Sequence, residues 1–398
     1  MSRNRIFLAA LFIAEVLLIS CSFSRRAAKS TAPAPSPTGT EAAPSATVVE
    51  SASFATGTES APPTAENSDY LRELTDLGFG KYLGESDVRR TKTTEYGWDI
   101  YHYDAADCRC LLGTEYMIMA RKGSQNTRTV FWMEGGGACF PGREECTKEA
   151  TVNRLKLQFG MASSNPLNPV KDWNYIYVPY CDGSIHLGDS DADYDKNGAV
   201  DHWHWGLKNT SAAVRLMKEL FPQSQEILVA GCSAGGYGTL GTTPVVRLQF
   251  PQTELYVLNE SGLGLMNPAI QDTYDTAYRI WNLTPLFPPD CPLCGKQYIY
   301  MYPWMLARDP RLRVSLFSSY QDATFSNNWG MAPEDYEALL RETSAAAGAD
   351  YPDRFHRYFI KGDDHCVRDY AHAVNGVTIW DWIGYMLGHD PRWVDILG

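Results

Sequence analysis

The stretch that most constrains this chain is Glu226 to Gly241, EILVAGCSAGGYGTLG. Four apolar residues, Ile227 to Ala230, run straight into Gly231-Cys232-Ser233-Ala234-Gly235, a strict G-x-S-x-G pattern. The apolar run reads as a buried strand, and the residues after the motif suit a helix. A strand that passes directly into a helix must turn sharply. Small residues two before and two after the serine let the neighbouring chains pass closely. The serine is then held in a strained conformation above the sheet edge, at a helix N-terminus whose free amides favour negative charge. Glycine is common enough that the letters also fit a Gly-rich turn with a capping serine. The strand before and the small residues after favour a nucleophile elbow.

From about residue 128 onward, short apolar runs alternate with amphipathic segments. Strands are expected at Thr129 to Met133, Tyr175 to Val178, Ile227 to Ala230, Leu255 to Leu258, Val314 to Ser318 and Arg357 to Ile360. Helices are expected at Thr210 to Leu220, Tyr237 to Phe250, Pro333 to Ala347 and Val377 to Leu387. Such alternation implies a mainly parallel sheet covered by helices, an α/β fold of the α/β-hydrolase kind. At about 330 residues the folded part is long enough to be one domain with a large core.

Arg3 and Arg5 precede an apolar run from Ile6 to Ser20, broken by Glu15, and Cys21 comes next. The length fits a signal peptide over residues 1–20 and is short for a membrane span. Leu18-Ile19-Ser20-Cys21 resembles a bacterial lipobox, which would make Cys21 a lipidated first residue; the carboxylate of Glu15 departs from that pattern. Residues 21–66 are rich in Ala, Ser, Thr and Pro. They cannot bury enough apolar surface to offset ordering entropy, so they read as a disordered tether. The expectation is an exported protein, anchored to a bacterial membrane or extracellular, with its catalytic domain at residues 67–398. The chain carries a formal net charge of −12. The charges before residue 67 cancel, so the domain is acidic, which argues against a nucleic-acid partner.

A second chemical stretch is Phe131 to Phe140, FWMEGGGACF. A strand ends at Glu134 and three glycines come directly after it, leaving the backbone free to turn amides toward a ligand. In an α/β-hydrolase this is the oxyanion-hole loop, partnered by the amide after the nucleophile. Gly136, Gly137 and Ala234 are the expected donors. A phosphate cradle is the competing reading, but no lysine stands at the Walker spacing.

These motifs, together with Cys146, YCDGSIHLGD at 180–189 and NESG at 259–262, resemble the pectin acetylesterase family, which includes the animal Notum carboxylesterases. The order and spacing agree across roughly residues 125–390. The resemblance implies an α/β-hydrolase-like fold, a Ser-Asp-His triad, no cofactor for catalysis, and removal of acyl groups from hydroxyls. It also implies a disulfide between Cys139 and Cys146. Two departures stand out. Glu260-Ser261-Gly262 replaces the family's usual Asp-Ser-Gly, and Gly137-Ala138 replaces an aromatic residue often found after the first glycines.

In this fold the acid and the histidine come after the serine in the chain. Of eight histidines, His102, His186, His202 and His204 come too early. His356 leads into a strand and is expected on a solvated face. His365 lies in Lys361-Gly362-Asp363-Asp364-His365-Cys366, just beyond a strand's C-terminal end, where a base belongs; the resemblance points there too. Asp322 lies beyond the end of another strand and is the expected acid, fixing the ring tautomer and stabilising the imidazolium. Asp364 is the alternative.

Ten cysteines fit an oxidising compartment. Nine fall in the domain, so one is left over if pairing is internal. Cys291-Pro292-Leu293-Cys294 reads as a local disulfide or as cross-links to other cysteines, not as a metal site. Cys232 is expected to pack as a small buried residue. Asp193-x-Asp195-x-Asn197-Gly198 echoes the first half of an EF-hand loop, with His204 where the bidentate glutamate should be. Asp193, Asp195, Asn197 and Asp201 are thus candidate ligands for a structural calcium, against a solvated acidic insertion. Trp203, Trp205 and Trp329 are candidates for stacking on sugar rings.

The sequence therefore describes a serine esterase, most simply one that deacetylates an acylated carbohydrate such as pectin. It is expected to be a monomer that meets a membrane only through its lipid. A lipase-like carboxylesterase for longer chains and a non-catalytic binding protein on the same fold are the alternatives.

Overall fold

Strand Glu226–Cys232 is buried from Ile227 to Gly231 and lies inside a ten-stranded sheet. A strand apolar on both faces needs cover on both, which parallel neighbours and flanking helices supply. The computed structural model describes residues 65–85, 89–158 and 160–398. The signal peptide, the lipobox with Cys21 and nearly all of the tether lie outside those residues. The sheet strands in chain order are β1 (Arg90–Glu95), β2 (Trp98–Tyr103), β3 (Tyr116–Arg121), β4 (Gln125–Met133), β5 (Trp173–Val178), β6 (Glu226–Cys232), β7 (Glu254–Glu260), β8 (Leu312–Ser319), β9 (Phe355–Ile360) and β10 (Ile396–Leu397). Their spatial order is β1-β2-β3-β5-β4-β6-β7-β8-β9-β10. From β5 to β10 every neighbouring pair is parallel; β1, β2 and β3 join antiparallel at one side.

The helices are α1 (Ala65–Asp76), α2 (Arg154–Gln158), α3 (Gly206–Leu220), α4 (Ala234–Gln249), α5 (Gln271–Ile280), α6 (Met301–Arg308), α7 (Ala323–Asn328), α8 (Pro333–Gly348) and α9 (Ile379–Leu387). Along β6 the side chains alternate between two cores, as strand pleating requires. Ile227 and Val229 join one core with Tyr237, Leu240 and Val246 of α4. Leu228 and Ala230 join the other with Trp382, Ile383 and Met386 of α9. Full burial of each large aliphatic side chain contributes roughly 1.5–3 kcal/mol.

The chain leaves β4 for β5 on one side, then crosses to β6 on the other. The connections diverge between β4 and β6, which pair with Met133 opposite Gly231. In open parallel sheets such a switch point leaves a crevice beyond the strands' carboxyl ends, where ligands bind. Glu134 and Ser233 both emerge there.

The expected α/β architecture is found, and each expected strand lies inside an observed one. The three antiparallel strands are an addition to the expected set. β1, RTKTTE, has no apolar alternation and is mostly exposed, so no periodic signal marks it. Residues 377–378, expected to open a helix, instead form a short ladder with Ala373–Val374. Helix α9 begins at Ile379 because Thr378 and Asp381 form a capping box. No helix among the described residues is long and apolar enough to cross a membrane.

Among the described residues there are four disulfides: Cys110–Cys181, Cys139–Cys146, Cys232–Cys366 and Cys291–Cys294. Cys108 is buried and unpaired. The expectation that Cys232 merely packs is corrected, because Cys366 comes within bonding distance from a loop 134 residues away. His356 is also not on a solvated face. It is buried edge-on against Trp393 and lies 3.6 Å from the Asp395 carboxylate.

Candidate active site

Ser233 caps α4 with φ 57° and ψ −120°, a backbone conformation that costs a non-glycine residue about 1–3 kcal/mol. The flanking glycines are obligatory for close packing. A Cβ on Gly231 would lie 2.4 Å from the Gly235 carbonyl oxygen, and one on Gly235 would lie 2.1 Å from that of Met133. The Ser233 amide donates to the Glu260 carbonyl at 2.9 Å.

Beside it, β4 ends in the three glycines. Among the described residues the amides of Gly136 and Gly137 donate to no backbone carbonyl, and Gly137 has φ +81°. Ala234 begins α4, ahead of the helical ladder, so its amide is free as well. The loop is pinned by the Cys139–Cys146 bond and by the Thr147 amide donating to the Gly136 carbonyl at 2.7 Å. Gly137, Ser233 and Ala234 line one pocket, and Gly136, adjoining them, is so close to Tyr180 and Thr147 that a Cβ there would collide with both.

Asp322 and His365 come from the loops after β8 and β9. The loops are tied together by the Gln321 amide to the Gly362 carbonyl at 3.0 Å and the Ala323 amide to that of Asp363 at 3.0 Å. Asp322 is fully buried as the N-cap of α7, and its Oδ1 accepts from the amides of Thr324 at 3.0 Å and Phe325 at 3.2 Å. The Asp322 carboxylate oxygens lie 3.0 and 2.8 Å from His365 Nδ1. A carboxylate accepts only, so Nδ1 carries the proton and Nε2 keeps its lone pair in the neutral ring. Nε2 is buried without a hydrogen-bond partner. The ring packs on Phe325, which lines the same pocket as Ser233, and a ring nitrogen lies within 4.8 Å of Cys232 Sγ. No hydrogen bond joins Nε2 to Ser233; in ligand-free sites such contacts are often long and tighten on binding. Asp364 instead pairs with Arg368 at 3.0 Å.

The pocket is apolar, walled by Phe140, Tyr237, Tyr274, Trp281, Phe325 and Trp329 among others, and encloses ≈ 600 Å³ of non-protein space with its open mouth included. Its one charged lining residue is Arg143, which stacks on Trp329 at 4.7 Å and donates to the Asn328 carbonyl at 2.9 Å. Trp203 and Trp205 do not line it. The Arg109 guanidinium lies over both rings, at 5.1 and 4.3 Å from their centroids.

The early histidines have structural partners. His186 donates from Nε2 to the Glu134 carbonyl at 2.8 Å, and burial lowers its pKa. His204 donates from Nδ1 to the Asp182 carbonyl at 3.0 Å and sits 2.7 Å from the Tyr194 hydroxyl; burial lowers its pKa to about 4. The carboxylates of Asp193, Asp195 and Asp201 converge, with oxygens within 4.8 Å of one another. They already accept loop amides, including Gly198 to Asp193 at 2.8 Å and Tyr194 to Asp201 at 2.8 Å. Asn197 donates to Asp195 and faces the same loop.

Residues 93–286 match the pectinacetylesterase family model. The similarity to pectinacetylesterases covers just under half of the chain. It is 29% identical over 161 residues to palmitoleoyl-protein carboxylesterase notum1a of Danio rerio, covering 37% of this chain and 31% of that protein. It is 25% identical over 214 residues to pectin acetylesterase 7 of Arabidopsis thaliana, covering 49% and 53% respectively. Pectin acetylesterase 11 of the same plant is 28% identical over 162 residues, covering 36% and 39%. The chain thus spans about a third to a half of the length of the curated relatives it matches. The pectinacetylesterase match includes the three glycines and Ser233 but ends before Asp322 and His365. Those two are placed by chain order and by the geometry of the β8 and β9 loops.

Sequence reasoning missed the Cys232–Cys366 pairing and the part played by Glu260. The available signal was positional: one cysteine immediately precedes Ser233 and the other immediately follows His365. Glu260 stands out in the sequence only as a departure from the usual aspartate of pectin acetylesterases. It is fully buried, and burial pushes its carboxyl up to about 8, against the lowering effect of hydrogen bonds from the Tyr370 hydroxyl and the Val367 amide.

Proposed function

We propose that this protein is a serine esterase that removes acyl groups, chiefly acetyl, from the hydroxyls of an acylated carbohydrate such as pectin. The observation that carries the reading is a strained Ser233 opening onto the same pocket as the Gly137 and Ala234 amides, next to a His365–Asp322 pair with a free Nε2. Ser233 Oγ attacks the ester carbonyl while Nε2 takes its proton. Asp322 stabilises the imidazolium, and the amides of Gly136, Gly137 and Ala234 receive the oxyanion, each donor contributing roughly 2.7–4 kcal/mol. His365 returns the proton to the departing hydroxyl. Water then attacks the acyl-enzyme, again with Nε2 as base, and the acid is released.

The aromatic pocket supports a second reading, in which longer acyl chains are the substrate. Hydrolysis of p-nitrophenyl esters of rising chain length, and then acetate release from acetylated pectin and xylan, separates the two. Deacetylation predicts kcat/KM highest for acetate and falling with chain length. A maximum at eight carbons or more would replace it with the lipase-like reading. Absence of turnover on every ester would leave a binding protein on this fold.

Asp193, Asp195, Asn197 and Asp201 are the residues that would hold a structural calcium, since hard oxygen donors in a tight loop suit that ion. The Tyr194 hydroxyl of this loop lies 3.3 Å from the Cys139 carbonyl, so the loop touches the pinned oxyanion segment. Chelation of the purified protein is expected to lower its melting temperature, with calcium restoring it and magnesium doing so poorly. An identical melting curve in chelator would leave the loop a solvated acidic insertion.

A further inference from the structure

The loop after β9 runs from Lys361 to Thr378 with only the two-residue ladder 373–374/377–378 as regular structure. It nevertheless has to hold His365 in register with a serine on a different strand. Asp322 fixes one ring nitrogen, and the Gln321 and Ala323 amides hold Gly362 and Asp363 ahead of the histidine, but these contacts do not set the loop's path beyond it. We propose that the Cys232–Cys366 disulfide and Glu260 form a clamp that positions His365 against Ser233, an inference that rests on the esterase reading.

Four ties converge on the two residues after His365 and on Tyr370. Cys366 is bonded to Cys232, the residue before the nucleophile. The Cys366 amide donates to Ser261 Oγ at 3.1 Å. The Val367 amide donates to Glu260 Oε2 at 3.3 Å, and the Tyr370 hydroxyl donates to Glu260 Oε1. Glu260 also receives the Ser233 amide on its own carbonyl at 2.9 Å. One residue therefore holds the nucleophile through its backbone and the base's loop through its side chain. Ser233, Ser261 and Cys366 have φ of 57°, 54° and 61°. Non-glycine residues keep such conformations only where the surroundings over-determine them, and sites of this kind cluster where geometry serves chemistry. Burial pushes the Glu260 carboxyl up to about 8, and in Glu260→Gln the side-chain carbonyl can accept from the Val367 amide while the NH2 donates to the Tyr370 hydroxyl, so both contacts survive the change.

The ordinary alternative is that the bond only adds stability by closing a long loop. The test is steady-state hydrolysis of p-nitrophenyl acetate by the full chain. The Cys232→Ala/Cys366→Ala double variant and Glu260→Leu are expected to lose kcat by about 10²-fold, the scale of a small misplacement of a catalytic group. KM should stay unchanged, and fluorophosphonate labelling of Ser233 should slow in proportion. Glu260→Gln should retain most of the parental kcat. The Cys291→Ser/Cys294→Ser pair, a disulfide loss away from the pocket, should retain all of it. Parental kcat in a folded Cys232/Cys366 double variant would overturn the clamp. So would equal losses in the two cysteine pairs. If the double variant does not fold, Glu260→Leu against Glu260→Gln decides, and equal kcat overturns the proposal. Ser233→Ala runs in parallel: surviving turnover there sinks the serine-esterase reading with Ser233 as nucleophile, whereas its loss beside unimpaired clamp variants sinks the clamp alone.

Discussion

Ser233→Ala is expected to abolish ester turnover, a loss of up to about 10⁶-fold in kcat. Labelling by a fluorophosphonate should vanish with it, while circular dichroism and the melting temperature stay close to the parent. The fold should tolerate the change because the hydroxyl makes no hydrogen bond among the described residues, whereas the strained backbone is held by Gly231, Gly235 and the Glu260 carbonyl. His365→Ala should cost nearly as much, and the double variant little more. Residues that act as one unit do not add. Retained turnover in Ser233→Ala would refute the nucleophile assignment. Additive losses in the double variant would show that serine and histidine act in separate steps.

Asp322 carries two duties that its variants should separate. Its carboxylate faces His365 Nδ1 and also caps α7 through the amides of Thr324 and Phe325. Asp322→Asn keeps an acceptor for the cap but can present an N–H to Nδ1 and favour the wrong tautomer. A loss of about 10⁴-fold in kcat with a near-parental melting temperature is expected. Asp322→Ala removes the cap as well and leaves buried amides unpaired. The cap alone accounts for about 1 kcal/mol, so this variant should also melt measurably lower. Equal melting temperatures for the two variants would argue against the capping role. Turnover near the parent in Asp322→Asn would return the choice of acid to Asp364.

The sequence is legible wherever the physical signal is local. β6 and its elbow are a contiguous apolar run capped by obligatory glycines, so period and composition suffice. Asp322 and His365 are legible because both stand just past apolar strands, and a parallel sheet puts all such ends on one side. The clamp was not legible, since a pairing across 134 residues leaves no periodic trace. Nor was the burial of Glu260: a glutamate in a loop-like NESG gives no sign that a tyrosine 110 residues on will cover it. The aromatic pocket escaped for a similar reason. Its walls come from the oxyanion loop, α4, α5 and α7, and only their packing gathers the rings.

The unpaired Cys108 bears on how the bridges are sorted. It stands two positions before Cys110, whose bond to Cys181 spans 71 residues. While the chain is unfolded, either thiol can compete for Cys181 with little difference in loop-closure entropy. Folding breaks that symmetry. Burial raises the Cys108 thiol to about 12, so almost none of it is the thiolate that attacks a disulfide. The hydrophobic core thereby acts as a one-way latch on covalent connectivity: once Cys108 is inside, its exchange with the neighbouring bridge is chemically silenced.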